Sequence, residues 1–127
     1  GLVVSADAKS LTMNDVDQDG KVDFLVGVNN GKFLSFINDI DFNGSAIRLS
    51  DLPKGKHFIG AKIWLHFNNG NIQMHQLSGS SGYLSQSGPV VYIGDKSDIK
   101  KMIIKWPNGS KDEINLSNSP ELFSSTF

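Results

Sequence analysis

The sequence predicts an all-β fold, an antiparallel sandwich or barrel-like module with a partial propeller-blade hairpin at the N-terminus. Three observations carry that expectation. Helical periodicity is hard to find anywhere in the 127 residues. Gly, Asn and Ser interrupt the chain at short intervals, as turn residues do between short strands. Two Asn-Gly pairs, Asn30-Gly31 and Asn69-Gly70, each lie between apolar runs, which is the short-range signature of a hairpin.

The first element is a loop. The stretch NDVDQDGKVDFLVG, residues 14 to 27, places Asp15, Asp17, Asp19 and Asp23 within nine residues. Its first half has the oxygen ligands and the glycine of a helix-loop-helix calcium loop, but that loop ends on a bidentate Glu at its twelfth position, and here that position is Val26. What remains is D-x-D-x-D-G-x-x-D running into VDFLVGV, a strand-like run of β-branched and aromatic residues. Carboxylates that converge repel one another unless a cation sits among them, and a hard ion taking six to eight oxygens answers that need. Calcium is the expected ion, held by Asp15, Asp17, Asp19 and Asp23 with the backbone carbonyl of Lys21. The competing reading of the same residues is a solvated Asp/Gly turn that binds nothing.

The first hairpin is expected over 24–37 with a two-residue turn at Asn30-Gly31. That register pairs Phe24 with Ile37, Val26 with Ser35 and Leu25 with Phe36, so both faces come out largely apolar, as in a blade packed between neighbours. The polar connection 39–55 holds one short strand candidate, 46–49. The second hairpin covers 63–76, and a two-residue turn at Asn69-Gly70 sets Phe67 opposite Ile72 and Leu65 opposite Met74, with Trp64 facing His75 and His66 facing Gln73. Further strands are expected at 89–93, at 101–106, where Met102, Ile104 and Trp106 alternate as a core stripe, and around 112–116. The tail from residue 117 is Ser-rich, with Leu122, Phe123 and Phe127 able to dock.

Composition narrows the function. Net charge is -1 and no basic stretch exceeds Lys100-Lys101, so nothing recommends nucleic acid as a partner. Hydrophobic residues make up 39% of the chain, with no apolar run near the roughly eighteen residues of a membrane-spanning helix. Cysteine is absent, which excludes a disulfide framework and a thiolate metal site. The first residue is Gly and no charged-then-apolar leader follows it, as expected of a piece of something longer.

In the second half, Gly60-Ala61-Lys62-Ile63, the segment SGSSGYLSQS at 78–87, Tyr92-Ile93-Gly94 and Trp106-Pro107-Asn108-Gly109 occur in an order and spacing that resemble the ASPIC/UnbV domain. GYLSQS and WPNG are the most specific parts. That domain typically follows FG-GAP or VCBS repeats, each carrying a D-x-D-x-D-G-x-x-D loop like the one at Asp15 to Asp23. One departure is Ile93-Gly94-Asp95, where the family usually has a GLG-like turn. The resemblance implies a blade-like segment at 1–40, an ASPIC/UnbV-like module at 41–117 and a tail at 118–127. It also implies a secreted, periplasmic or cell-surface setting, with the remaining propeller blades of a parent chain as neighbours.

Candidate chemistry is sparse outside the loop. His66 and His75 are expected as diagonal neighbours on one face, but no acidic residue in the same two strands completes a metal site. The serines of SGSSGYLSQS lack a nucleophile elbow and a base held by a third group. Trp64, His66, His75 and Tyr83 instead form the expected ligand face, with Trp64, Tyr83 and Trp106 weighed as an aromatic platform for a sugar ring. The reading that follows is a calcium-binding, non-enzymatic binding or adhesion module whose partner is an extracellular protein or a glycan. Self-association through the apolar face of the first hairpin is also expected. The alternative is an accessory domain of a carbohydrate-processing or biosynthetic enzyme assembly.

Overall fold

The computed structural model describes residues 3–42, 44–49, 57–80 and 82–116. Among them the regular structure is nine strands: β1 (Ala8–Asn14), β2 (Asp23–Val28), β3 (Leu34–Phe36), β4 (Ser45–Arg48), β5 (Lys62–Phe67), β6 (Ile72–Gln76), β7 (Val90–Ile93), β8 (Ile99–Lys105) and β9 (Lys111–Asn115), with a 3-10 turn at Lys96–Asp98 before β8. They form three antiparallel sheets, ordered β1-β2-β3, β4-β7 and β6-β5-β8-β9. The fold is all-β, as expected, and none of the sheets closes into a barrel. The tail expected to dock through Leu122, Phe123 and Phe127 lies outside the described residues.

Alternation along β5 and β8 builds the core. Ile63 and Leu65 of β5 stand opposite Ile104 and Met102 of β8, and all four are fully buried. Ile47 of β4 and Val91 and Ile93 of β7 join them in one apolar cluster with Trp106, Ala61 and Leu77, so the β4-β7 ribbon packs over the inner face of the four-stranded sheet as a small sandwich. Each fully buried Ile or Leu contributes about 1.5–3 kcal/mol of transfer free energy. Trp106 continues the stripe of Met102 and Ile104, as expected, and its indole N–H donates to Asp112 Oδ2 at 2.7 Å, which satisfies the one polar atom of a buried ring.

The register of both hairpins differs by one residue from the expected one. In the second, Gly70 has φ 87, Gly70 N–H donates to Phe67 O at 3.1 Å, and Phe67 N–H to Asn71 O at 2.9 Å. The loop is therefore three residues long, Asn68 to Gly70, with the glycine left-handed at its end. Pairing shifts to Ile63 with His75, Trp64 with Met74, Leu65 with Gln73 and His66 with Ile72. The WPNG turn repeats the device: Gly109 has φ 87 and Trp106 N–H donates to Ser110 O at 2.9 Å.

In the first hairpin, Asn30 has φ 51 while Gly31 is not left-handed, so the primed turn, which requires positive φ at both central residues, does not form. Phe24 pairs Phe36, Leu25 pairs Ser35 and Val26 pairs Leu34. One face then carries Leu11, Val26, Leu34, Met13, Phe24 and Phe36, and the other carries Thr12, Leu25 and Ser35. The expectation of two apolar faces does not hold, because the one-residue shift sends Ser35 to the side meant for Phe36. β1, which the sequence reading left out, is a strand that alternates Leu11 and Met13 with Ser10, Thr12 and Asn14. Its outer edge is stitched to the GYLSQS segment: Thr12 Oγ1 donates to Gln86 O at 2.9 Å and Met13 N–H to Ser87 Oγ at 3.2 Å.

Candidate metal loop and exposed faces

The loop between β1 and β2 curls through two left-handed residues, Gln18 (φ 64) and Gly20 (φ 83). A side chain at Gly20 would be strained twice over, since its Cβ would fall 2.8 Å from Gly44 O. The curl brings Asp15, Asp17 and Asp19 together, the first buried and the other two exposed, and one carboxylate oxygen from each lies within 4.8 Å of the others. Asp15 is only 6% exposed. Its Oδ2 accepts Gly20 N–H at 3.2 Å and faces Arg48 Nη2 at 3.4 Å, while its Oδ1 is buried with no hydrogen-bond partner. Leaving such an acceptor unsatisfied costs about 1–3 kcal/mol, and more when it is charged.

The remaining residues expected to bind metal are placed differently. Asp23 is fully buried and does not join the trio. Its Oδ2 accepts Val16 N–H at 2.7 Å and its Oδ1 accepts Asn38 N–H at 2.8 Å, so it closes the loop and ties the chain after β3 to it. The Lys21 ammonium pairs with Asp19 Oδ2 at 2.7 Å and donates to Ile40 O at 3.2 Å. The hydrogen bond between Lys21 and Asp19 holds the Asp19 carboxyl below its usual range and the Lys21 ammonium above its own.

The donor set fits a hard cation. Three carboxylates converge and one buried oxygen lacks a partner, although Asp19 is paired with Lys21 and Asp15 with Arg48, so Asp15, Asp17 and Asp19 are the residues that could hold such an ion. Two residues beside the loop were not foreseen. Arg48 and Tyr92 project from the same face of the β4-β7 ribbon, and burial together with the charge of Asp15 pushes the Tyr92 phenol up to about 12. Arg48 is the chain's single arginine among eleven lysines, and that isolation was the available signal, since a guanidinium suits a buried carboxylate better than an ammonium does.

The expected ligand face does not assemble as a unit. Trp64 and His66 share the outer face of the four-stranded sheet with Met74 and Ile72, whereas His75 lies opposite Ile63 on the inner face. His66 and His75 therefore point to opposite sides, a consequence of the three-residue turn. Burial lowers the His75 pKa, and its Nε2 has no partner. Tyr83 is 74% exposed at the tip of the Gly82–Ser85 turn, where it lines a cleft of about 610 Å³ together with Leu11, Phe24 and Val26. Trp106 is in the core, so the three-ring aromatic platform is not present.

Fold and site together define an antiparallel β module with an acidic, oxygen-only loop held against one of its sheets. A family model described as ASPIC and UnbV matches residues 53–121, more than half of the chain, and the chain belongs to that family. Among curated proteins, cartilage acidic protein 1 of Homo sapiens is 27% identical over 111 residues, covering 84% of this chain and 17% of that protein. The chain thus spans less than a fifth of the relative's length. Among the described residues no helix is long and apolar enough to cross a membrane.

Proposed function

We propose that this chain is a calcium-stabilised, non-enzymatic binding or adhesion module of a secreted or cell-surface protein. Residues 1–40 are read as an FG-GAP-type blade segment and 41–117 as the recognition module. The observations that carry the reading are the convergence of Asp15, Asp17 and Asp19 and the buried, unpartnered Oδ1 of Asp15, an arrangement that a divalent cation would complete. The ion is structural in this reading. It stiffens the turn that lies against Arg48, and the β module then presents its surface to a protein or glycan partner.

Calorimetric titration of the chain with calcium tests the reading. One bound ion per chain is expected, with magnesium weaker because it demands a smaller octahedral shell and gives up its water reluctantly. Absence of saturable binding at millimolar calcium would remove the ion from the proposal.

A further inference from the structure

Among the described residues no layer covers the outer face of the four-stranded sheet, and its side chains fall into ordered rungs. Lys62 of β5 stands directly opposite Lys105 of β8, which stands opposite Lys111 of β9. All three are exposed, and none has an ion-pair partner among the described residues. Like charges placed directly opposite one another across strands are destabilising. In the next rung three apolar residues, Met74, Trp64 and Ile103, lie side by side and Glu113 ends the row, with Trp64 half-buried and Met74 54% exposed. The acid of this face, Glu113, is already engaged by Lys101 at 2.8 Å.

We infer that this face binds an acidic polysaccharide, with the Lys62-Lys105-Lys111 row on its anionic groups and the Trp64 rung under a sugar ring. Neighbouring strands are about 4.8 Å apart, so the row places three positive charges over roughly 10 Å, perpendicular to the strands, as a polymer with regularly repeated charge requires. Lysine is a mobile point charge that serves a carboxylate or a sulfate equally, and an indole supplies apolar area with a polar edge to the ring above it. An acidic peptide fits less well. β5 and β8 are paired on both sides, so no free backbone N–H faces outward from the centre to hold a peptide main chain. The inference rests on the binding-module reading above but not on the calcium loop.

The test uses the whole chain with size-defined heparin oligosaccharides as the sulfated probe and oligogalacturonate as the carboxylated one. Neutral dextran and poly-glutamate serve as comparators, with indole fluorescence and calorimetry as readouts. Binding of at least one acidic oligosaccharide is expected, weakened by added salt. The double variant Lys105→Ser/Lys111→Ser should bind roughly tenfold more weakly, the size that two exposed charge contacts can supply, and Lys62→Ser provides an independent variant if that one is poorly folded. The two probes distinguish sulfate from carboxylate. The inference is overturned if neither acidic probe binds, if the lysine variants bind as tightly as the parent chain, or if poly-glutamate binds as well as the sugars. Shortening of the oligosaccharide during incubation would instead overturn the non-enzymatic reading on which the inference rests.

Discussion

Replacing Asp15 with Asn separates a metal cage from an ordinary acidic turn, because the amide keeps the shape of the carboxylate and removes its charge. Without calcium two effects oppose. The variant loses the 3.4 Å pairing with Arg48, and it relieves the repulsion within the Asp15, Asp17 and Asp19 group along with the charge on the partnerless Oδ1. The pair is part-buried, with the Asp15 side chain 2% and the Arg48 side chain 22% exposed, so losing a hydrogen bond to a charged group there costs about 1.5–3 kcal/mol, while relief of an unmet buried acceptor returns about 1–3 kcal/mol. The two are of one size, and the apo stabilities should differ by no more than about 2 kcal/mol. Calcium then divides them. An ion that binds only the folded state stabilises by about 2.7 kcal/mol at a hundredfold excess over Kd, and for a chain of this size each kcal/mol moves Tm by about 3–5 °C. Melting followed by circular dichroism should show the parent chain rising by roughly 10 °C on that basis, with Asn at position 15 rising far less. Parent and variant curves that shift by the same amount, or a parent curve indifferent to calcium and chelator, would refute the reasoning.

Three further outcomes follow from other parts of the molecule. Trp106→Phe removes the donor to Asp112 Oδ2 and should cost about 1–3 kcal/mol in urea unfolding, the range for breaking a part-buried hydrogen bond to a charged group. The lowered pKa of His75 means that the unfolded chain takes up this proton first, so stability should fall as pH drops below 6.5 toward the folded pKa and then level off. His75→Gln should flatten that segment of a stability-against-pH curve and leave the separate loss below about pH 4, where Asp7, Asp19 and Glu113 protonate, in place. Leu84 sits at φ 52 with 76% of its surface exposed. A left-handed non-glycine residue costs roughly 1–2 kcal/mol, so Leu84→Gly should raise Tm or leave it unchanged, the reverse of the usual effect of glycine, and a clear fall in Tm would count against the strained turn.

Strand existence was legible because the strands between residues 45 and 116 are short apolar or alternating runs bounded by turn residues, while register was not, and the second hairpin shows why. On β5 the triplet Ile63, Leu65 and Phe67 leaves no doubt about the inner face. β6 offers Ile72 and Met74 alternating with Gln73, His75 and Gln76, and either face could have been buried. As an edge strand it has little burial to gain, and Ile72 and Met74 end up 57% and 54% exposed. Register is weakly specified where burial is weak, so turn chemistry decides it, and Asn68-Asn69-Gly70 closes as three residues with its glycine left-handed instead of as a two-residue Asn-Gly turn. One residue of difference is enough to part His66 from His75. The acidic loop was legible as a motif, since its aspartates lie close in sequence. The roles within it were not, because Asp23 is claimed by backbone amides from both sides of the loop, one of them Asn38, fifteen residues away.

The contacts around the loop explain why an ion there would matter beyond the loop itself. Asp15 meets Arg48 on β4, Gly20 abuts the backbone of Gly44, and the adjoining strand β1 is stitched through Thr12 and Met13 to Gln86 and Ser87. Residues 3–40 are thus fastened to later parts of the chain at two places, and one of them is the Asp15 carboxylate proposed as a metal ligand. Opening the loop would break the Asp15 pairing with Arg48 and change the surroundings of the Tyr92 phenol, whose pKa is raised first by burial and then by the charge of Asp15. Binding energy gained at the three aspartates would therefore oppose separation of the two segments as well as fraying of the turn. An ion bound there would need no catalytic role to influence how residues 3–40 are held against the β4-β7 ribbon.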